Sequence, residues 1–304
     1  MAQVTSDSTL PPPVSDQAFM EVSALEAGIL HMPLQFAIAG ASPSDISICP
    51  SLAFFLRHSK TEAGLVFDLG IRRDVEGYPP IIQESIKKSV PVAVDQTVSE
   101  SLSKGGLPAE QVETVVISHL HWDHVGDPAP FSKATFVVGG ACRSLIDSGY
   151  PSDPNSGIME HSIPLDRARF LSLSDFSTSI GPFPRALDYF GDGSMYIIDA
   201  PGHLAGHVNV LARTSASGSW IFLGGDSAHD FRLVTGEKEV AFRFDEAGHM
   251  LCAHANKDDA VETIRRIGSL LNIPRVQVLI AHDSTWYNKN KGGPAFFPGT
   301  IPSL

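Results

Sequence analysis

The sequence predicts a mixed α/β fold in which short apolar strands, several of them paired as hairpins, alternate with a few helices. Short apolar runs recur along the chain and are separated by turns rich in Gly, Ser, Asp and Pro. Helical spacing of apolar residues is confined to a few segments. Polar side chains of the kind that bind metal ions follow directly after several of the strands, where functional loops tend to lie.

The composition fits one domain of this kind. Of 304 residues, 43% are hydrophobic and 18% are charged, which allows a large buried core. We expect a flexible tail over residues 1–17, which is polar and contains three consecutive prolines, and a single domain over residues 18–304. The tail lacks the basic start and apolar stretch of a signal peptide, and no apolar run is long enough to cross a bilayer.

The net charge and the cysteine content limit the classes of partner and the cellular location that we expect. The net charge of -12 disfavours nucleic acid and membrane surfaces as partners, because an acidic surface repels phosphate groups and anionic lipid. The three cysteines have no close spacing, so they resemble neither a disulfide framework nor a cysteine-based zinc site. Reduced thiols and the lack of a leader predict a cytoplasmic protein.

The elements of the first half follow from local patterns. Residues 52–56 and 65–67 are apolar runs on either side of a polar turn, which predicts a hairpin. Residues 80–88 predict a short helix, and Pro108 opens a helical turn. Apolar residues predict buried strands over 115–117 and 135–138, and long loops with short strands are predicted over 147–188.

The second half continues this pattern. Residues 186–200 predict a hairpin closed by the turn 191–194. Residues 208–212 and 220–223 predict a further strand pair. A helix is expected from an Asp258 N-cap through Leu271, with apolar residues at helical spacing. Residues 276–280 predict the last strand.

The strongest chemical signal is the motif His119-x-His121-x-Asp123-His124, which follows the strand predicted over 115–117. In an extended segment His119 and His121 point to the same side and can bind one ion. Asp123 and His124 come after the chain turns and can reach a second ion. Imidazole and carboxylate ligands suit two Zn²⁺ ions, with iron or manganese as alternatives.

One motif supplies too few ligands for two ions, and further candidates follow other strands. His203 and His207 lie in the segment Pro-Gly-His-Leu-Ala-Gly-His, which follows the strand of the 186–200 hairpin. Asp226 follows the strand over 220–223, and His282 follows the strand over 276–280. The sequence therefore offers ligands at the ends of several strands.

The order and spacing of these motifs resemble the metallo-β-lactamase superfamily, over residues 52 to 282. The resemblance implies a four-layer αββα sandwich with the metals at one edge, between the two sheets. It assigns the first metal to His119, His121 and His207 and prefers His207 over His203, which is expected to support a ligand. It assigns the second metal to three further residues, with one bridging carboxylate: Asp123, His124 and His282, bridged by Asp226.

The resemblance also implies an activity, in which the metals activate water to attack a small lactone or lactam. Asp123 is expected to carry a proton to the leaving group. The layout is closest to the N-acyl homoserine lactonases, which have a tyrosine three residues after the bridging aspartate. Here that position is His229, and we expect it to take part in catalysis. Phe36, Phe242 and Phe244 indicate an aromatic or acyl substrate.

Two other activities use the same scaffold. A thioesterase, of the glyoxalase II or polyketide-releasing kind, would need the same metal centre and a different pocket. An iron dioxygenase would use one metal only, and the presence of Asp123, His124 and His282 disfavours it. Asp68 is expected to support a ligand histidine. The other histidines, including His254, are expected to be surface or hydrogen-bonded residues.

Overall fold

The computed structural model describes residues 9–304, which build two six-stranded sheets. The first sheet contains, in spatial order, β1 (Met20–Leu25), β4 (Ala53–His58), β5 (Gly64–Phe67), β7 (Thr114–Val116), β8 (Thr135–Gly139) and β9 (Ala168–Leu171). The second sheet contains β10 (Thr178–Ile180), β11 (Phe183–Asp188), β12 (Met195–Asp199), β13 (Val208–Arg213), β14 (Trp220–Leu223) and β17 (Val276–Leu279).

Two smaller sheets and several helices complete the described part of the chain. The three-stranded sheet is formed by β2 (Ile29–Pro33), β3 (Ile46–Pro50) and β6 (Val92–Ala93), and a hairpin by β15 (Phe242–Phe244) and β16 (Met250–Cys252). The helices are α1 (Pro80–Lys88), α2 (Val98–Lys104), α3 (Trp122–Val125), α4 (Arg143–Asp147), α5 (Phe231–Val234), α6 (Lys257–Leu270) and α7 (Ser284–Asn290).

Side chains alternate between the two faces of each sheet, and both faces are covered by apolar residues. Phe54 of β4 and Leu223 of β14 are buried in the core between the two sheets. Phe55, next to Phe54, is buried on the other face of the first sheet with apolar residues of α2. Phe222 is likewise buried on the outer face of the second sheet with Ile264 of α6. Because side chains alternate across a strand, each sheet has two buried faces, which confirms the predicted αββα sandwich.

Most of the predicted strands are present, and some boundaries differ. The hairpin of β4 and β5 and the strand pairs β11–β12 and β13–β14 are as predicted, and β12 also pairs with β13, which was not predicted. The predicted Asp258 N-cap is wrong, because the Asn256 side chain accepts the hydrogen bond from the Asp259 N–H, and α6 begins at Lys257. Leu271 is the C-cap of α6, which therefore ends at Leu270, one residue earlier than predicted.

The division into a tail over 1–17 and a domain over 18–304 stays a prediction, and residues 1–8 lie outside the described part. From residue 9 to Gln17 the chain has no helix or strand. The guanidinium of the buried Arg213 donates to the carbonyl oxygens of Pro11 and Pro12, at 2.8 and 3.1 Å. No helix within residues 9–304 has the length and apolarity needed to cross a bilayer.

Candidate metal centre

The candidate ligands lie on loops that follow four strands. His119 comes after β7, and α3 then carries Asp123 and His124. His203 lies between β12 and β13. Asp226 follows β14 and His282 follows β17, and these two strands are parallel neighbours. Because the carboxyl ends of parallel strands open on the same edge of a sheet, residues distant in sequence meet there.

One group contains the buried side chains of His119, His203 and Asp226 and the half-buried side chain of His121. The Nδ1 atom of His121 lies 2.9 Å from Nε2 of His119 and 2.9 Å from Nε2 of His203. The two Nε2 atoms are 3.1 Å apart. Nitrogen ligands about 2.0–2.1 Å from a tetrahedral zinc ion would be about 3.3 Å apart, so this group fits an ion with little adjustment.

A second group contains Asp123, His124, Asp226 and His282. The Oδ1 atom of Asp226 lies 3.2 Å from Nε2 of His124 and 3.1 Å from Nε2 of His282. Oδ2 of Asp123 lies 3.6 Å from Nε2 of His282 and 3.8 Å from Nε2 of His124. The four side chains are buried and provide the mixed nitrogen and oxygen donors that zinc binds.

Asp226 belongs to both groups. While Oδ1 faces His124 and His282, Oδ2 lies 3.6 Å from Nε2 of His203 and 3.9 Å from Nε2 of His119. Oδ1 and the Nε2 atom of His124 are buried and have no hydrogen-bond partner within residues 9–304. Buried polar atoms that meet without hydrogen-bonding to one another are typical of a site that binds a cation.

The predicted ligand His207 lies in the same centre, directly before β13, although it belongs to neither group. Its ring centroid lies 5.0 Å from that of His119, and both of its ring nitrogens are buried without a hydrogen-bond partner among the described residues. Buried nitrogens without a partner are typical of a site that binds a cation. Nε2 of His203, at the other end of the same loop, lies 3.1 Å from Nε2 of His119. The preference for His207 over His203 stays a prediction, and the other six predicted ligands lie in the two groups.

In three of the candidate ligand histidines, the Nδ1 atom, which does not face the other ligands, contacts a neighbouring oxygen atom. Nδ1 of His124 lies 2.8 Å from Oδ2 of Asp68, as expected for Asp68. Nδ1 of His282 lies 2.8 Å from the carbonyl oxygen of Pro50, and Nδ1 of His119 lies 3.0 Å from Oγ of Ser118. Such contacts fix the tautomer and the orientation of a ligand ring.

Burial and charge divide the histidines of the centre into two kinds. Burial, together with the neighbouring imidazoles, holds the pKa of His119 and of His203 well below the usual value. Burial, the largest single cause, also lowers the pKa of His124 and of His282, but Asp226 acting together with Asp123 and Asp68 at His124, and with Cys49 at His282, raises both pKa values well above the usual value. Protons therefore occupy the second group in the absence of a metal, and an ion would displace them.

A third cluster of imidazoles lies beside the first group and contains His203, His229 and His254. Nε2 of His229 lies 3.3 Å from Oδ2 of Asp226. His254, which was expected to be an ordinary surface or hydrogen-bonded residue, is 3% exposed, and its Nδ1 atom lies 3.3 Å from Nδ1 of His203. No spacing in the sequence relates His254 to the other histidines, so only the fold identifies it.

Exposed apolar side chains lie on the segment that leads to His254. The hairpin of β15 and β16 exposes Phe242, Phe244 and Met250, and Phe36 is exposed beside it. A cleft of about 270 Å³ lies between them, lined by Phe36, Arg243, Leu251 and Cys252 among others. Three of the residues expected to contact a substrate therefore belong to one surface.

Comparison with known proteins identifies the family. The model of the metallo-beta-lactamase superfamily matches residues 47–214. The chain is 30% identical to the metallo-hydrolase mfmC of Annulohypoxylon moriforme, over 98% of this chain and 88% of that protein. It is 36% identical to the gamma-lactamase FDB1 of Fusarium pseudograminearum, over 59% of this chain and 45% of that protein.

Other relatives are longer proteins. The chain is 32% identical, over 83% of its residues, to the cytochrome P450 monooxygenase mpaDE' of Penicillium brevicompactum. It spans 31% of the length of that protein. The chain covers about a third of the length of each of the curated relatives that it matches first.

A solved structure supports the fold. AiiA of B. thuringiensis, a mutant with N-decanoyl-L-homoserine bound at the active site, superposes with a TM-score of 0.71 at 14% identity, covering 94% of this chain and all of that one. The predicted resemblance and fold are both confirmed: the chain belongs to the metallo-beta-lactamase superfamily.

Proposed function

We propose that this protein is a metal-dependent hydrolase that opens a small cyclic amide or ester with two zinc ions. The observation that carries the proposal is the pair of ligand groups that share Asp226. A carboxylate with one oxygen toward each group is suited to bridge two ions about 3.5–4 Å apart. Relatives named as a metallo-hydrolase and a gamma-lactamase support the reaction class.

We propose the ligands that the resemblance implies. The first ion would be held by His119, His121 and His207, whose ring lies 5.0 Å from that of His119 with both nitrogens unpartnered among the described residues. The second would be held by the remaining three residues, with Asp226 between them: Asp123, His124 and His282. Zinc bound there would lower the pKa of a bound water and polarise the substrate carbonyl. The complete second group favours two ions over the single iron of a dioxygenase.

Asp123 is the candidate for proton transfer. Its carboxylate is buried among the candidate ligands, 3.6 Å from His282 and 3.8 Å from His124. A carboxylate at this position can take a proton from the attacking water and deliver it to the leaving group as the ring opens.

His229 is the second candidate for catalysis. Its Nε2 atom lies 3.3 Å from Oδ2 of Asp226, at the edge of the two ligand groups. A histidine there can donate a hydrogen bond to the oxyanion or protonate the leaving group. The gamma-lactamase relatives support a lactam as the ring that is opened.

The surroundings support an apolar substituent on that ring. The exposed side chains of the β15–β16 hairpin and Phe36 offer aromatic and aliphatic surface next to the loop that carries His254. A hydrophobic cleft with a few polar groups is typical of a small-molecule site. We infer an aromatic or acyl-bearing substrate. The three cysteines are free, and we propose a cytoplasmic location.

The test is a substrate panel on the zinc-loaded full chain. Aryl- and acyl-substituted γ-lactams, the matching γ-lactones and acyl thioesters are compared by kcat/KM, with the chelated protein and a His119→Ala variant as controls. We expect turnover of the cyclic substrates, highest for lactams, and none in either control. Turnover confined to thioesters, or turnover that survives chelation, would contradict the proposal.

A further inference from the structure

The helix α3 carries two of the proposed ligands of the second ion, Asp123 and His124, and it contains only four residues. An α-helix leaves its last four carbonyl groups without partners within the helix, so the carbonyls of so short a helix depend on groups from elsewhere. The chain turns away at Gly126, which follows α3 with a φ of 46°. The groups that bind these carbonyls therefore determine how the two ligands are held.

Two hydroxyl groups supply partners for two of these carbonyls. The Oγ atom of Ser51 donates to the carbonyl oxygen of Asp123, and the Oη atom of Tyr78 donates to that of Trp122 at 3.0 Å. Both of the donating side chains are buried. A buried carbonyl that loses its hydrogen-bond partner is not readily hydrated instead, so the loss of either hydroxyl would allow α3 to move.

Ser51 belongs to a segment that also contacts the loop of another ligand. The carbonyl oxygen of Pro50 lies 2.8 Å from Nδ1 of His282, and the N–H of Leu52 donates to the carbonyl oxygen of Ala281 at 2.9 Å. Three consecutive residues thus join α3 to the loop that follows β17. The segment therefore sets the distance between ligands that follow two different strands.

Tyr78 joins α3 to a second part of the chain. Its Oη atom accepts a hydrogen bond from the N–H of Arg72 at 2.8 Å while it donates to the carbonyl of Trp122. Its ring packs edge-on against the ring of Trp122, with the centroids 5.6 Å apart. A phenylalanine at this position would keep the ring contact and remove only the hydroxyl group.

We propose that Ser51 and Tyr78 are positioning residues, which hold α3 through two backbone carbonyls so that Asp123 and His124 face the second ion. This inference rests on the two-ion site proposed above. Both hydroxyls bind backbone oxygen atoms, so the two residues act through α3 and not on the ion itself.

The test measures zinc binding, which needs no substrate. Ser51→Ala and Tyr78→Phe each remove one hydroxyl and keep the rest of the side chain. Competition with a chelator measures the affinity for each of the two ions, and the visible absorption of the cobalt-substituted protein reports the geometry of the site. We expect one ion to bind about 10-fold more weakly in each variant, the low end of the range for groups that orient a ligand. The other ion should bind as before, and the cobalt bands should shift.

Two hydroxyls elsewhere in the fold provide matched controls. The Oγ atom of the buried Ser23 donates to the carbonyl oxygen of Gly299 at 2.6 Å, and the Oη atom of Tyr287 donates to the carboxylate of Glu26 at 2.8 Å. Ser23→Ala and Tyr287→Phe should lower the urea midpoint of unfolding, because each also removes a hydrogen bond. Both control variants should keep the zinc affinities and the cobalt spectrum of the original chain.

The comparison with the controls decides the role. Unchanged zinc affinities and cobalt spectra in Ser51→Ala and Tyr78→Phe would overturn the inference, and so would an equal loss of affinity in the control variants. If one of the two variants does not fold, the other gives the same decision, because each hydroxyl binds its own carbonyl. An original chain that binds no second zinc ion would contradict the proposed function as well, which is a distinct result.

Discussion

The carboxylate of Asp68 bonds both Ser118 and His124: Oδ1 accepts from the Ser118 N–H at 2.7 Å, and Oδ2 lies 2.8 Å from Nδ1 of His124. Asp68 has a φ of 64°, a left-handed conformation that Asn also tolerates. Asp68→Asn should therefore keep the backbone while replacing a charged acceptor by an amide. We expect zinc affinity at the second site to fall about 10–100-fold, measured by chelator competition.

The fold should survive that change. Asp74→Asn is a control on a more exposed aspartate, whose partner Arg72 lies outside the candidate centre. Unchanged second-site affinity in Asp68→Asn would show that Asp68 does not orient His124.

His203 and His207 can be separated by parallel alanine variants. His207→Ala removes a proposed ligand of the first ion, so we expect the loss of about one zinc per chain and of turnover. His203→Ala removes a residue expected to support a ligand, so it should keep both ions and lower the zinc affinity. Metal analysis by mass spectrometry checks both variants. Loss of metal in His203→Ala with full retention in His207→Ala would contradict the assignment.

His229 should take part in ring opening. His229→Ala leaves the two ligand groups in place, so metal content should not change. We expect kcat/KM to fall about 100-fold for the cyclic substrates, in the range known for single polar groups at a reacting centre. His229→Tyr, which again supplies a hydrogen-bond donor, should recover part of the loss. Full turnover in His229→Ala would show that His229 is not part of the catalytic site.

A substitution at Gly202 tests whether close packing against α6 constrains the loop that carries His203 and His207. Its φ is +127°, and a Cβ atom there would overlap the backbone of Ala260 at the start of α6. Gly202→Ala should lower the free energy of unfolding by about 3 kcal/mol and displace His203, with loss of zinc affinity. Gly236 has a φ of +77° with open space around it, so Gly236→Ala should cost only about 1 kcal/mol.

Urea denaturation measures both glycine variants. If they are destabilised equally, the contact with Ala260 does not constrain the loop.

The parts of the centre that the sequence predicts are those encoded by local patterns. His119 to His124 are close in sequence and follow a strand, and Asp226 and His282 each follow a strand end. His203 and His207 both lie on the eight-residue loop between β12 and β13, and spacing alone does not determine which of them binds the first ion. His254 is 51 residues from His203, so only tertiary contacts relate the two.

The strands and helices also differ in how well local sequence patterns predict them. Strands with unbroken apolar runs, such as β14, could be predicted because both faces are buried. The strand β1, with Glu21 and Ser23 among its residues, and β3, with exposed Ile46 and Ile48, do not have such runs. The capping box of Thr97 and Glu100 at the start of α2 is a local signal that would have identified that helix.

The central claim is that two ions bound on either side of Asp226 perform hydrolysis. The most direct test titrates the metal-free chain with zinc while bound metal and lactam hydrolysis are followed together. We predict that turnover rises until two zinc ions are bound per chain and disappears on chelation. Full turnover with one ion bound, or two ions bound with no hydrolysis of any ring in the panel, would contradict the account.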